Sequence, residues 1–202
     1  VIVVAYSTAV TVPEDSSTPT YPALLSAEEF AEGTNGSYSS ADPRVQPLLD
    51  GATTAIRRYC RWHVAPVVDE TIVMDYDGSA TIILPTLRLI SVAGLKINGE
   101  ELFDFEVSHN GEILLARPYL PRLSGVEISL RHGFDSAAVA DVKQIIQQVV
   151  ANAISSPLGA TQEQAGQVSI HWSTTAPGVS GGISLLQRDL DTLNLYRLPG
   201  RA

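Results

Sequence analysis

The sequence predicts an α+β fold: a small helical core carrying an inserted antiparallel β domain of five to six strands, an extended N-terminal arm and a C-terminal tail. Three observations carry this. Apolar residues recur at three- and four-residue steps between Asp42 and Trp62 and again from Ser136 to Ile154, the period of a helix with one buried face. Between those stretches the text changes to short β-rich runs punctuated by Asp77-Gly78, Asn98-Gly99 and Asn110-Gly111. The chain has 202 residues, 45% of them hydrophobic, enough for one domain with a large insertion that buries about 70% of its unfolded surface. The segments follow as an arm (1–24), a first helical part (25–64), the β domain (65–134), a second helical part (135–158) and a tail (159–202).

In order, residues 1–24 hold the β-branched run VIVVAYSTAVTV and then a turn-rich stretch with Pro13, Pro19 and Pro22. Ser26 with Glu29 forms a capping box and Leu25 can staple to Phe30, so a short helix starts there and ends at Gly33, Asn35 and Gly36. Asp42-Pro43 reads as N-cap and first helical residue of a longer helix. Its stripe is Val45, Leu48, Leu49, Ala52, Ile56, Tyr59 and Cys60, it runs through to Trp62, and Pro66 stops it. The β domain reads as a meander, with Asn98-Gly99 and Asn110-Gly111 as two-residue turns. That register sets Leu95 and Ile97 against Phe103 and Phe105, and buries Phe103, Phe105, Ile113 and Leu115. The second helix carries Ala138, Val142, Ile145, Ile146, Val149, Val150, Ala153 and Ile154 on one face and closes at Pro157 and Gly159. QVSIHWS is strand-like. Ser184 with Gln187 reads as a capping box for a last short helix.

Charge and cysteine usage exclude several functions. Thirteen basic against 22 acidic residues give 13 − 22 = −9, so a protein that grips nucleic acid through its phosphates is not expected. A single Cys60 excludes an internal disulfide and a CxxC metal site. The apolar text from Val1 to Val12 is too short and too interrupted to span a bilayer.

Few residues offer chemistry. GVSGG at 178–182 satisfies GxSxG, but its flanks, Ala176-Pro177 and Ile183-Ser184, lack the strand and sharp turn that a nucleophilic Ser180 requires. Cys60 and His63 are one pair where a structural zinc needs four ligands. The near-neighbour carboxylates Asp75 and Asp77, Glu100 and Glu101, Asp104 and Glu106 have no base at a useful spacing and read as a solvated face. No catalytic, metal or cofactor set is expected, and no enzyme activity. The basic cluster Arg57, Arg58 and Arg61 is open to three readings: cations favoured at a helix C-terminus, contact with an acidic partner, or contact with DNA.

Two stretches carry a family resemblance. The run LLDGATTAIRRYCRWHVAPVVDETIVMDYDGSATIILPTLRLISVAGLKINGEEL resembles the head-to-tail adaptor (connector) proteins of long-tailed double-stranded DNA phages, where "AxxAIRxYCxWHxxP" leads into a strand and "LPxLxLxxVxxVxxxG" continues the sheet. The ending EQAGQVSIHWS, with Gly181, Leu185 and DLDTLNLYRLPG, is similar to that family's "GxxSV" strand and closing "YRLP". The resemblance covers roughly residues 25 to 200. It implies a non-enzymatic virion protein of the neck, between capsid and tail, made in the host cytoplasm. It also implies a closed ring of roughly twelve copies beneath the portal protein, a surface for the next neck or tail component, and a lumen through which DNA passes without tight binding. No membrane is involved. The arm of residues 1–24 is longer than the family pattern.

The tail is then expected to dock on the portal or on a neighbouring adaptor. Leu186, Leu190 and Leu193 form one stripe, and Tyr196, Arg197 and Leu198 are an aromatic, a cation and an apolar anchor. The alternative is that this helix folds back on its own core. The alternative for the whole chain is a monomeric β-rich module that binds carbohydrate or a receptor.

Overall fold

Ser26 opens helix α1 (Ala27–Gly33) as expected: its Oγ accepts from the Glu29 N–H at 3.1 Å and the Glu29 carboxylate accepts from the Ser26 N–H at 3.0 Å. This computed structural model describes residues 21–155 and 184–200, and the backbone of 162–165 and 168–171. Helix α2 (Val45–Cys60) coincides with the apolar stripe, beginning later than the Asp42-Pro43 signal suggests and ending short of Trp62. Asp42 still caps, but it caps a turn: its carboxylate takes the Arg44 N–H and guanidinium, and its carbonyl accepts from Val45 N–H. At the other end Arg61 adopts a left-handed φ of 68°, so Trp62 lies outside the helix.

Asp135 caps a 3-10 turn (Ser136–Val139) that runs into α3 (Ala140–Ser155). Val139 is buried where Ala138 was expected, because the tighter 3-10 turn rotates the face by about 20° per residue. Val45, Leu49, Ala52, Ile56 and Cys60 of α2 pack against Val142, Ile146, Val149 and Val150 of α3, with Phe30 and Leu193 closing the cluster. Each such aliphatic side chain contributes about 1.5–3 kcal/mol on burial. Helix α4 (Gln187–Leu193) completes this body. Its cap is not Ser184 with Gln187: the helix starts at Gln187, and the Asp189 carboxylate accepts from the Leu186 N–H at 2.9 Å.

The β domain has seven strands in two sheets, not one five- or six-stranded meander. Strands β1 (Val68–Tyr76), β3 (Leu89–Ile97), β4 (Glu100–Leu102) and β7 (Arg122–His132) form a sheet of order β1-β7-β3-β4. Strands β2 (Thr81–Ile83), β5 (Phe105–Val107) and β6 (Glu112–Leu115) form a second, of order β2-β6-β5. All these pairs are antiparallel, and the eleven-residue β7 is central because it faces both neighbours: Ile128 lies opposite Ile72 and opposite Leu95.

Asn98-Gly99, with φ of 56° and 90°, is the two-residue hairpin expected. Asn110-Gly111 is not: Ser108 N–H reaches Glu112 O and Gly111 N–H reaches Ser108 O, which makes a longer loop. The register at β3 is corrected too. Leu95 and Ile97 face Leu102 and Glu100, and the chain leaves after Leu102 for the other sheet. Phe103 is therefore 87% exposed and Phe105 half-buried opposite Leu115, while Ile113 and Leu115 are buried. Leu84, Leu95, Ile97, Ile113, Val126 and Ile128 fill a second core between the sheets. Strands β8 (Gln162–Ala165) and β9 (Val168–His171) pair with each other.

Candidate functional site

The helical body meets the β domain where α2 runs into β1 and β7 runs into α3, and this junction concentrates the chain's aromatic and histidine residues. Trp62 is buried; its Nε1–H donates to the Tyr196 carbonyl at 2.6 Å and its ring packs on Phe134 at 5.7 Å. Phe134 meets the Tyr196 ring edge-on at 5.4 Å. The His63 ring stacks on Tyr21 at 4.7 Å and meets His132 at 4.5 Å. Both oxygens of Glu70 are engaged: Tyr21 OH donates to one at 2.6 Å and His132 Nε2–H to the other at 3.0 Å.

Those bonds fix the tautomers. His63 donates from Nε2 to the Pro66 carbonyl at 2.9 Å, and His132 Nδ1 carries a lone pair with no partner among the described residues. Burial, then the neighbouring His132, pushes His63 down to about 4, and burial lowers His132 against the pull of Glu70. Both imidazoles are neutral near pH 7. Gly133 is required here: with φ of 112°, an added Cβ would lie 2.5 Å from Pro66 O and 2.6 Å from His63 Nε2.

The expected residues divide. Arg57 is spent inside the molecule: its guanidinium donates to the carbonyls of Tyr21, Pro22, His63 and Ala65 and lies 5.4 Å from the Tyr21 ring centroid. It is a staple between the incoming arm and the segment that joins α2 to β1, so of the three arginines expected as a contact cluster only Arg58 and Arg61 are exposed. Cys60 is buried with its thiol pushed up to about 11, chiefly by burial, and its Sγ lies 3.9 Å from Leu193 O. That is an unreactive packing thiol. Among the described residues no group of three or more His, Cys, Asp and Glu converges, and no helix is long and apolar enough to cross a membrane. Ser180 and the rest of GVSGG lie outside the described residues.

The tail segment folds onto its own core, and this changes the docking expectation. Leu193 is fully buried. Tyr196 OH donates to Asp141, burial and then that hydrogen bond raise its phenol to about 12, and Leu198 N–H donates to Cys60 O at 3.0 Å. Tyr59 OH donates to Asn194 Oδ1, and Arg197 sits over the Tyr59 ring at 4.9 Å. Leu186 and Leu190 are half-buried and Arg197 is exposed. Sequence periodicity missed Leu195, 76% exposed, and Tyr21, Glu70, His132 and Gly133, which no local pattern links.

The β domain is where apolar surface is left bare. Besides Phe103, the side chains of Ile83, Leu120 and Leu123 are 62%, 81% and 79% exposed. Ile83 with Pro85 and Leu87 forms one wall of a groove of about 880 Å³, whose other wall is Phe134, Leu195 and Leu198.

No protein-family model and no curated protein matches this sequence. The fold does have counterparts. A chain from the neck of a native GTA (gene transfer agent) particle, computed with C12 symmetry, aligns with a TM-score of 0.55 at 14% identity, over 89% of this chain and 91% of that chain. A chain from the neck of an empty GTA particle, computed with C6 symmetry, aligns with a TM-score of 0.55 at 15% identity, over 91% and 95%. The likeness spans nearly the whole of both chains and is one of fold. A helical body carrying a two-sheet β domain is thus an architecture that occurs in the neck of a phage-like particle.

Proposed function

We propose that this chain is a structural, non-enzymatic subunit of the neck of a phage-like particle, acting as a head-to-tail adaptor. It assembles as a ring of roughly twelve copies under the portal, extends the DNA channel, and offers its outer face to the next neck component. The observation that carries this is the end-to-end fold match to chains of necks computed with C12 and C6 symmetry. Three features support it. The bare apolar side chains of the β domain suit a subunit that is covered in its assembly. The net charge of −9 suits a lumen that lets DNA slide, since phosphate is repelled rather than gripped. The junction offers no activated nucleophile, with both histidines neutral and the one thiol buried.

Portal contact falls to the outer side of the tail segment, Leu186, Leu190 and Arg197, while Leu193, Tyr196 and Leu198 hold the segment in place. Native mass spectrometry and electron-microscopic class averages of the chain, alone and mixed with the portal ring of the same genome, test the reading. Closed rings with one chain per portal subunit are expected. A chain that stays monomeric in both conditions overturns it and returns the monomeric binding module.

A further inference from the structure

We infer that the groove between the β2 edge and the tail segment receives residues Val1–Val12 of a neighbouring copy, which add to β2 as a further strand and lock adjacent subunits of the ring together. This rests on the ring reading above.

The acceptor side is laid out for a strand. In the β2–β6 ladder, Ala80 O and Leu84 N–H bond to Leu115 N–H and Gly111 O, and Ile82 lies opposite Ile113. By antiparallel alternation Ile82 turns its backbone toward β6, and Thr81 and Ile83 turn theirs outward. β2 is the outer strand of its sheet, with no strand beside it among the described residues. The Thr81 N–H is taken by Ser79 Oγ, which leaves the Thr81 carbonyl and both backbone groups of Ile83 for an incoming strand. The Ile83 side chain and Leu195 supply apolar cover on the two walls. An edge of this kind, flanked by an apolar groove, is the setting for strand addition.

The donor is in the same sequence. Every residue from Val1 to Val12 except Ser7, Thr8 and Thr11 is apolar or aromatic, none is charged, and the run is β-branched. Such a segment needs burial. Where it comes from argues for a neighbour's groove. Tyr21, at the near end of the arm, lines a cleft of about 630 Å³ that shares Arg61 and Pro85 with the groove. The arm therefore starts beside its own groove and needs almost no spacer to enter it. The spacer present is Pro13 to Thr20, in which Pro13 and Pro19 bias the chain toward extended backbone. Fully extended, a spacer of this length allows a reach of roughly 30 Å from Tyr21 to Val12, more than entry into its own groove requires.

Chemical cross-linking tests this in the full chain. Cys60 is buried and unreactive, and Ile83 is exposed, so Val4→Cys and Ile83→Cys each add one usable thiol. Two chains of different mass, one carrying each substitution, are assembled together and treated with a bis-maleimide. Covalent heterodimers in the ring fraction are the expected result. A double variant that cross-links within a single chain overturns the proposal, as do rings that give no heterodimer. In parallel, Ile83→Glu with Leu195→Glu, and deletion of residues 1–12, should each raise the concentration needed for rings by roughly tenfold or more, with thermal melts unchanged. Rings that form at the wild-type concentration in both variants also overturn it. If the wild-type chain forms no ring, the neck reading fails first; if it does and the arm does not cross-link, this inference fails alone.

Discussion

The helical body and the β domain solve the same burial problem in opposite ways. In the body, α2 and α3 leave a seam that α4 and the tail close, with Leu193 filling the core and Trp62, Phe134 and Tyr196 interlocked over it. In the β domain an internal core forms, yet Val73, Ile83, Ile90, Phe103, Val107, Leu114, Leu120 and Leu123 remain large, apolar and exposed. Among the described residues, Leu195 is the one comparable side chain of the helical part, and it lines the groove that faces the β domain. The body is finished within one chain, whereas the β domain presents apolar surface that a partner could cover. This contrast ties the local packing to the neck reading, and it can be attacked from either side.

The largest effects should come from the closed side. Trp62→Ala removes the ring that joins the body to the tail and should cost about 3–5 kcal/mol, read as a strong fall in the circular dichroism melt. Leu193→Ala should cost about 2–5 kcal/mol; a melt within experimental error of wild type would mean that the tail is a docking element and not part of the core. Arg57→Ala strands several carbonyls and should cost about 1.5–3 kcal/mol. Arg58→Ala, on the same helix but exposed, should stay within about 0.5 kcal/mol. Equal effects of the two would contradict the staple.

Acid should loosen the junction next. His63 titrates at about 4 in the folded chain, below its ordinary 6.5, and His132 is lowered too. Between those values the unfolded chain binds more protons, so the contribution is complete above pH 6.5 and is lost as pH falls toward 4. The slope is about 1.4 kcal/mol per pH unit for each proton. Denaturant titrations at pH 7, 6 and 5 should show it, and His63→Gln should flatten it; a profile that is the same in wild type and variant contradicts the assignment. Phe103→Ser and Leu120→Ser should change the melt least, by under about 0.5 kcal/mol, while weakening assembly.

What the sequence made legible was local. Ser26 with Glu29, the Asn98-Gly99 hairpin and the apolar faces of α2 and α3 each depend on residues within a turn or two, where a period or a cap leaves a direct trace. The strand order was hidden because β7 pairs with β1 across about fifty residues, and no spacing rule selects that partner over the next strand in line. Phe103 is placed inside by a register that runs β4 on to Phe105, three residues past its end at Leu102. Proximity in sequence groups Arg57 with Arg58 and Arg61, although one helical step of about 100° separates a half-buried, fully engaged cation from an exposed one. The cluster of Tyr21, Glu70 and His132 joins three segments through side chains alone, and the tail's cover, the α2 end, lies some 130 residues away.

Hydrogen–deuterium exchange compares the two regions in one measurement, with the chain free in solution and again as part of its assembled neck. Peptides covering residues 81–84, 103–107, 114 and 120–123 should gain protection on assembly, while those from α2 and α3 keep the protection they already had. Protection that appears instead on α2 and α3, with the β domain exchanging as fast in the assembly as in the free chain, would contradict the account.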